Sequence, residues 1–163
     1  MNDAEANATA LRVAAMDLLA RREHSRHELQ RKLAKRFPAA ADGALLSAVI
    51  EALTQDGLQS DERCAESVVR SRRSRGQGPL RIRQDLWQRG IADAVASEVL
   101  AQQNDWVALA QAALAQKFGA ETVSDHKQWA RRARFLASRG FPESMVREAL
   151  RKVGSGEADP EVG

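Results

Sequence analysis

The sequence predicts an all-α protein built as three tandem three-helix repeats, set in an extended or gently curved row. Three observations predict it. Apolar residues recur at helical spacing along the chain, and no segment shows the alternation of a half-buried strand. Capping and helix-stopping residues punctuate the chain at short intervals. A block of sequence also repeats at an offset of 50 residues, with Leu86-Trp-Gln-Arg-Gly-Ile91 falling on Leu136-Ala-Ser-Arg-Gly-Phe141.

The first helix is read from apolar positions 11, 14, 15, 18 and 19, the second from 29, 33 and 37, and the third from 45, 46, 49, 50 and 53. Ser25-Arg-His-Glu28 has the Ser-x-x-Glu form of a capping box, so the second helix begins there. Pro38 and the Ala-rich turn to Gly43 part helices two and three. Gly57 followed by Ser60-Asp61-Glu62 stops one helix and starts the next. Helix four carries Ala65, Val68 and Val69 and ends in Gly76-Gln-Gly78-Pro79, where Pro79 suits the first position of helix five. Helix five carries Ile82 and Leu86 and stops at Gly90.

The repeat continues with Glu98 over Glu148, Leu100 over Leu150 and Val95 over Met145, and a looser copy, Leu33-Ala-Lys-Arg-Phe37, precedes a helix ending at Leu53. Each unit is therefore a first apolar helix, a second ending in Leu-x-x-Arg-(Gly/Phe), and a third rich in Val and Leu. The expected organisation is a flexible N-terminal tail over 1–9, repeats over 10–57, 60–103 and 105–153, and a flexible C-terminal tail over 154–163. Each repeat is expected to bury its apolar stripe within itself and against its neighbour.

Composition excludes several classes. Of 163 residues, 44% are hydrophobic and only 4% aromatic, so Ala, Leu and Val must supply the core. No apolar run approaches the roughly 20 residues that span a bilayer, and Met1 to Thr9 is polar and acidic rather than a signal sequence. The expected location is cytoplasmic. Cys64 is the one cysteine, so there is no intrachain disulfide and no cysteine-built zinc site, and His24, His27 and His126 are scattered.

Catalytic chemistry finds little support. Gly76-Gln-Gly78 lacks the order of a phosphate loop and is explained as a helix boundary. Glu23-His24-Ser25 is not read as a nucleophile with its base, because neighbours in sequence point apart and capping accounts for Ser25. His27 and His126 lack further ligands at metal spacing and are expected exposed. Cys64 suits either burial or partial exposure. Trp87, Trp106 and Trp129 lie near apolar stripes and are assigned to packing. The expectation is no enzyme, no cofactor and no metal.

The strongest functional signal is basic. Arg70-Ser-Arg72-Arg73-Ser-Arg75 ends helix four, and Arg81 and Arg83 open helix five. At about 100° per residue one helix cannot align all six, but the two helix ends converge at the turn to form a positive rim. Glu66 and Asp85 are the acids placed to pair locally. Arg31, Lys32, Lys35 and Arg36 form a weaker patch in the first repeat, and Lys127, Arg131, Arg132 and Arg134 another in the third. Arginine's planar fork fits carboxylate and phosphate alike, so composition leaves an acidic protein surface and nucleic acid both open.

The succession Leu18-Leu19, Ser25-Arg-His-Glu28-Leu29, Leu33, Gly57-Leu-Gln-Ser-Asp61-Glu62, Gly76-Gln-Gly78, Ile82, Leu86, Arg89-Gly90-Ile91, Lys117-Phe118 and Phe135-Leu-Ala-Ser-Arg139-Gly140-Phe141 resembles the RecX regulatory proteins, over residues 11 to 153. Arg36-Phe37 departs from the basic residue and glycine common there. The resemblance implies a modulator, usually an inhibitor, of the RecA recombinase. It would lie in the filament groove, limit strand exchange and ATP hydrolysis, and restrain recombination and the SOS response.

On that basis the partner-binding residues are expected to be Arg70, Arg72, Arg73, Arg75, Arg81 and Arg83, flanked by Arg31, Lys35, Arg131 and Arg134. They would bridge successive RecA subunits, with at most weak, sequence-independent DNA contact. A monomer is expected, since no long heptad seam appears. The competing readings are an independent helical nucleic-acid binder, marked by steep salt dependence, and a structural adaptor for another protein.

Overall fold

A computed structural model of the protein describes residues 2–40 and 43–155. Among them are nine α-helices and no strand: α1 (Asp3–Arg21), α2 (Arg26–Arg36), α3 (Ala44–Gln55), α4 (Asp61–Ser74), α5 (Pro79–Gln88), α6 (Asp93–Ala101), α7 (Trp106–Phe118), α8 (His126–Ser138) and α9 (Glu143–Ser155). A single 3-10 turn, Pro38–Ala40, follows α2. The all-α repeat expected from the sequence is the fold observed.

Both ends differ from expectation. The polar stretch placed in an N-terminal tail is helical from Asp3, because Asn2 caps α1 in a capping box with Glu5 and Asp3 and Glu5 sit at the favourable positive end of the helix dipole. At the other end α9 runs to Ser155, and the rest of the tail expected over 154–163 lies outside the described residues.

By packing, the chain forms two compact units: Met1–Val68 with Asp85–Val99, and Val69–Gln84 with Leu100–Gly163. The middle bundle is divided between them. Unit one holds α1, α2 and α3 around Leu11, Ala14, Ala15, Leu29, Leu33, Leu46, Val49, Ile50 and Leu53. Unit two holds α7, α8 and α9, with Ala110, Leu114, Leu136, Phe141, Val146, Ala149 and Leu150 buried.

The division has a local cause, which is a pair of matching joints. In unit one the start of α2 meets the end of α5: the Ser25 hydroxyl donates to the Arg89 carbonyl at 2.5 Å, and a methyl added at Gly90 would stand 2.5 Å from the His27 Cβ. In unit two the start of α5 meets the end of α8. The Gly78 and Leu80 amides donate to the Arg139 and Gly140 carbonyls at 2.8 and 2.9 Å.

The sequence repeat explains why the same corner occurs twice. The Gly90 amide bonds to Trp87 and the Ile91 amide to Leu86, and likewise Gly140 to Ala137 and Phe141 to Leu136. This is a Schellman helix end. Its glycine takes positive φ, +71° at Gly90 and +93° at Gly140, and the following apolar residue turns back into the core. Leu-x-x-Arg-Gly-apolar is thus the sequence form of one corner, and each corner presents an arginine carbonyl to the preceding repeat.

Candidate functional site

The arginine rim sits in unit two, where α4 ends, Gly76 and Gly78 turn the chain, and α5 begins. The structure sorts its members by what each already holds. Arg73 is committed internally: its guanidinium pairs with Asp105 at 2.5 Å and lies 4.6 Å from the Trp106 ring centroid, with the side chain largely covered. Its Nη1 is buried with no hydrogen-bond partner. Arg72 and Arg83 are half-buried and engaged within the chain. Arg70, Arg75 and Arg81 are exposed, and Arg81 reaches the Ser138 carbonyl at 3.3 Å.

The flanking patches divide in the same way. On α8, Arg131 and Arg134 are exposed, whereas Arg132 is only 6% exposed and packs 5.0 Å from the Phe118 ring, which removes it from any surface patch. In unit one, Arg31 and Lys35 are both exposed one turn apart on α2 and present one basic face. Lys32 instead reaches His24, 3.1 Å away.

Sequence reasoning missed a cleft beside the rim. A cavity of about 320 Å³ in unit two is lined by Ser74, Arg75, Gly76, Ala113, Gln116, Lys117, Phe135 and Arg139. Arg139 is held in place by its Nη1 bond to the Arg75 carbonyl at 3.4 Å and by stacking 5.1 Å from the Phe135 ring. The signal was available, since the repeat marks Arg139 as the copy of Arg89.

Unit one treats the equivalent arginine differently. Arg89 pairs with Asp85 at 3.2 Å and Glu28 at 3.3 Å, and Glu28 also accepts from Arg22 at 2.7 Å. Burial alone would raise the Glu28 pKa, but the hydrogen bond from Arg22, the Ser25 amide and the charges of Arg22 and Arg89 outweigh it and hold it down to about 2. The Arg89 pKa is raised: burial pulls it down, and the Glu28 and Asp85 charges outweigh that. Cys64, 1% exposed beside Glu28, has its thiol pushed up to about 12 by burial and then by that carboxylate, so it is an inert core residue.

Ser25 caps α2 as expected, accepting from the Glu28 amide while Glu28 reaches back to the Ser25 amide. His24 is buried and its pKa is lowered, chiefly by burial and also by the Arg22 and Lys32 charges. Lys32 donates to Nε2, so Nδ1 carries the proton bonded to the Arg22 carbonyl. His27 and His126 are exposed. Of the tryptophans, Trp106 is packed, but Trp87 is 74% exposed on α5 and Trp129 is at the surface, against the packing expected for all three. Trp87 follows the buried Leu86 by one residue and so falls off the Ile82/Leu86 stripe, whereas Trp129 lies at the exposed end of the Arg132/Leu136 face of α8 and stacks on His126.

No group of three or more His, Cys, Asp or Glu among the described residues could hold a metal ion. No helix among them is long and apolar enough to cross a membrane.

Comparison with known proteins assigns most of the chain. Residues 12–41, 60–100 and 103–150 match the first, second and third three-helix domains of RecX. The chain is 48% identical over 150 residues to a protein of Halorhodospira halophila named "Regulatory protein RecX", with 91% of each covered. It is also 48% identical over 137 residues to a protein of that name from Chromohalobacter salexigens, covering 83% of this chain and 88% of the relative. The fold is similar to a crystal structure of RecX from Lactobacillus salivarius, with a TM-score of 0.78 at 22% identity over 91% of this chain and 97% of that one.

Proposed function

This chain belongs to the RecX family of regulatory proteins, and from that premise we propose that it binds the RecA nucleoprotein filament and restrains its recombinase and ATPase activities. It acts as a monomeric cytoplasmic protein without catalytic chemistry of its own. The observation that carries this reading is the family match across all three helical domains, at up to 48% identity to named regulatory proteins.

The exposed cations supply the contact. In unit two these are Arg70, Arg75, Arg81, Arg131 and Arg134, with Arg72 and Arg83 beside them, and in unit one Arg31 and Lys35. Arg73 serves folding instead, since its charge is already met by Asp105. Recognition of an acidic surface by exposed arginines leaves the fold independent of the contact residues, because surface charges contribute little to stability. Restraint follows if the bound protein spans neighbouring RecA subunits and holds them against extension or against entry of a second strand.

The test uses Arg70→Glu/Arg134→Glu, two exposed side chains with no hydrogen bond or ion pair among the described residues. Inhibition of RecA's ATP hydrolysis on single-stranded DNA is expected to fall at least about tenfold in potency, an affinity loss of about 1.4 kcal/mol, with the thermal unfolding midpoint unchanged. Wild-type potency in that variant would remove the unit-two cations from the contact.

A further inference from the structure

The two joints are built alike and charged oppositely. In unit one, the corner arginine Arg89 is enclosed by carboxylates from two directions, Asp85 one turn back on α5 and Glu28 three residues beyond the docking residue Ser25. In unit two, Arg139 occupies the same corner and Gly78 the docking position. The residue one turn back is Phe135, and the residue three beyond Gly78 is Arg81. Both carboxylates have been replaced, one by an aromatic ring and one by a further cation.

The cleft compounds the imbalance. Arg75, Lys117 and Arg139 line it, and no Asp or Glu does among the described residues. Gln116 adds a neutral donor, while the Ser74 hydroxyl proton is already given to the Ser71 carbonyl at 2.6 Å. Three cations converging without a counter-charge repel one another, a cost that unit one avoids and that an anion would reverse. Arg139 is also pre-set, one edge of its fork anchored to the Arg75 carbonyl and its face on Phe135. Its other N–H groups hold no hydrogen bond among the described residues, and a planar guanidinium fork matches a pair of oxygens.

We propose that this cleft is a phosphate site for a nucleic-acid backbone, with Arg139 and Lys117 as the principal contacts and Arg75 and Arg81 continuing the track along the α4–α5 turn. A single carboxylate would neutralise one of these cations and strand the others. A nucleic-acid strand carries one charge at every backbone step, so a single strand can meet all of these cations in turn, and the polyglutamate competitor tests an acidic peptide against it. The site shares Arg75 and Arg81 with the proposed filament contact, but its principal residues Arg139 and Lys117 do not belong to that contact and its test contains no recombinase.

The experiment measures binding of a fluorescent oligothymidylate by anisotropy across a salt series, with inorganic pyrophosphate and a polyglutamate peptide as competitors. Arg139→Gln/Lys117→Gln is compared with Arg21→Gln/Arg151→Gln, which removes the same net charge from exposed positions outside the cleft. The cleft variant is expected to bind about tenfold more weakly and to lose about 1.4 from the slope of log affinity against log salt, at about 0.7 per phosphate contact. The control should keep the wild-type slope.

Equal slopes in the two variants would overturn the site. So would capture of polyglutamate or pyrophosphate by a protein that leaves the oligonucleotide free. If loss of Arg139 loosens the joint, Lys117→Gln alone decides: its side chain is exposed and holds no hydrogen bond among the described residues, and it should lower the slope by about 0.7.

Discussion

Glu28 holds three structural relations at once: it closes the α2 capping box, pairs with Arg22, and meets Arg89 across the joint of unit one. With its pKa held to about 2, against a usual value of 4.5, the folded state keeps the carboxylate charged where the unfolded chain would protonate it. The stability this confers is full above about pH 5 and is lost as pH falls towards 2, amounting to at most about 3 kcal/mol. His24 acts in the same direction from higher pH: its lowered pKa favours the neutral ring, so its contribution fades as pH drops below 6.5. Urea unfolding of Glu28→Gln is therefore expected to show a weaker fall in stability between pH 5 and 2 than the wild type; an unchanged pH profile would show that the pairing adds nothing. The cap itself is legible in the sequence because Ser25 and Glu28 are three residues apart. The pairing with Arg89 is not, because that residue is 61 positions away and nothing local marks it.

At the scale of elements, the Leu-x-x-Arg-Gly corner is where sequence and structure agree most closely. The repeat is visible because one hydrogen-bond pattern needs leucine, glycine and an apolar residue at fixed offsets. Its docking function is invisible in a single copy, since it depends on which helix start arrives there. This distinction can be measured. Gly140→Ala forces a Cβ to within 2.6 Å of the Arg81 amide nitrogen at positive φ, whereas Gly57, which ends α3 with the same bond pattern at φ +75°, has nothing within 4 Å of an added Cβ. Strain alone costs about 1 kcal/mol, and overpacking adds about 1–3 more. Gly140→Ala should thus lower stability by about 2–4 kcal/mol and Gly57→Ala by about 1. Equal losses in thermal melts would mean that the unit-two joint is looser than its geometry indicates. The start of α1 was missed for a different reason: its first turns carry no apolar stripe, and only the Asn2/Glu5 cap signals a helix.

For the whole molecule, the three-helix repeats were legible from punctuation and periodicity, whereas the partition into two units was not. That partition rests on contacts between the start of one repeat's second helix and the end of the next, so α4 and α5 each contribute residues to both units. The arginine rim was legible as composition, and its sorting was not: Arg73 is absorbed by Asp105 and Trp106, Arg132 by Phe118, and Arg139 emerges only when the two corners are compared. What unifies these observations is a scaffold that pairs its corner arginine with carboxylates in unit one and leaves the matching arginine without them in unit two. The most direct test is RecA's ATP hydrolysis on single-stranded DNA with this protein titrated in. A fall in rate at well below one copy per RecA is the predicted result, since one bound molecule would restrain several subunits; an unchanged rate at a full equivalent would contradict it.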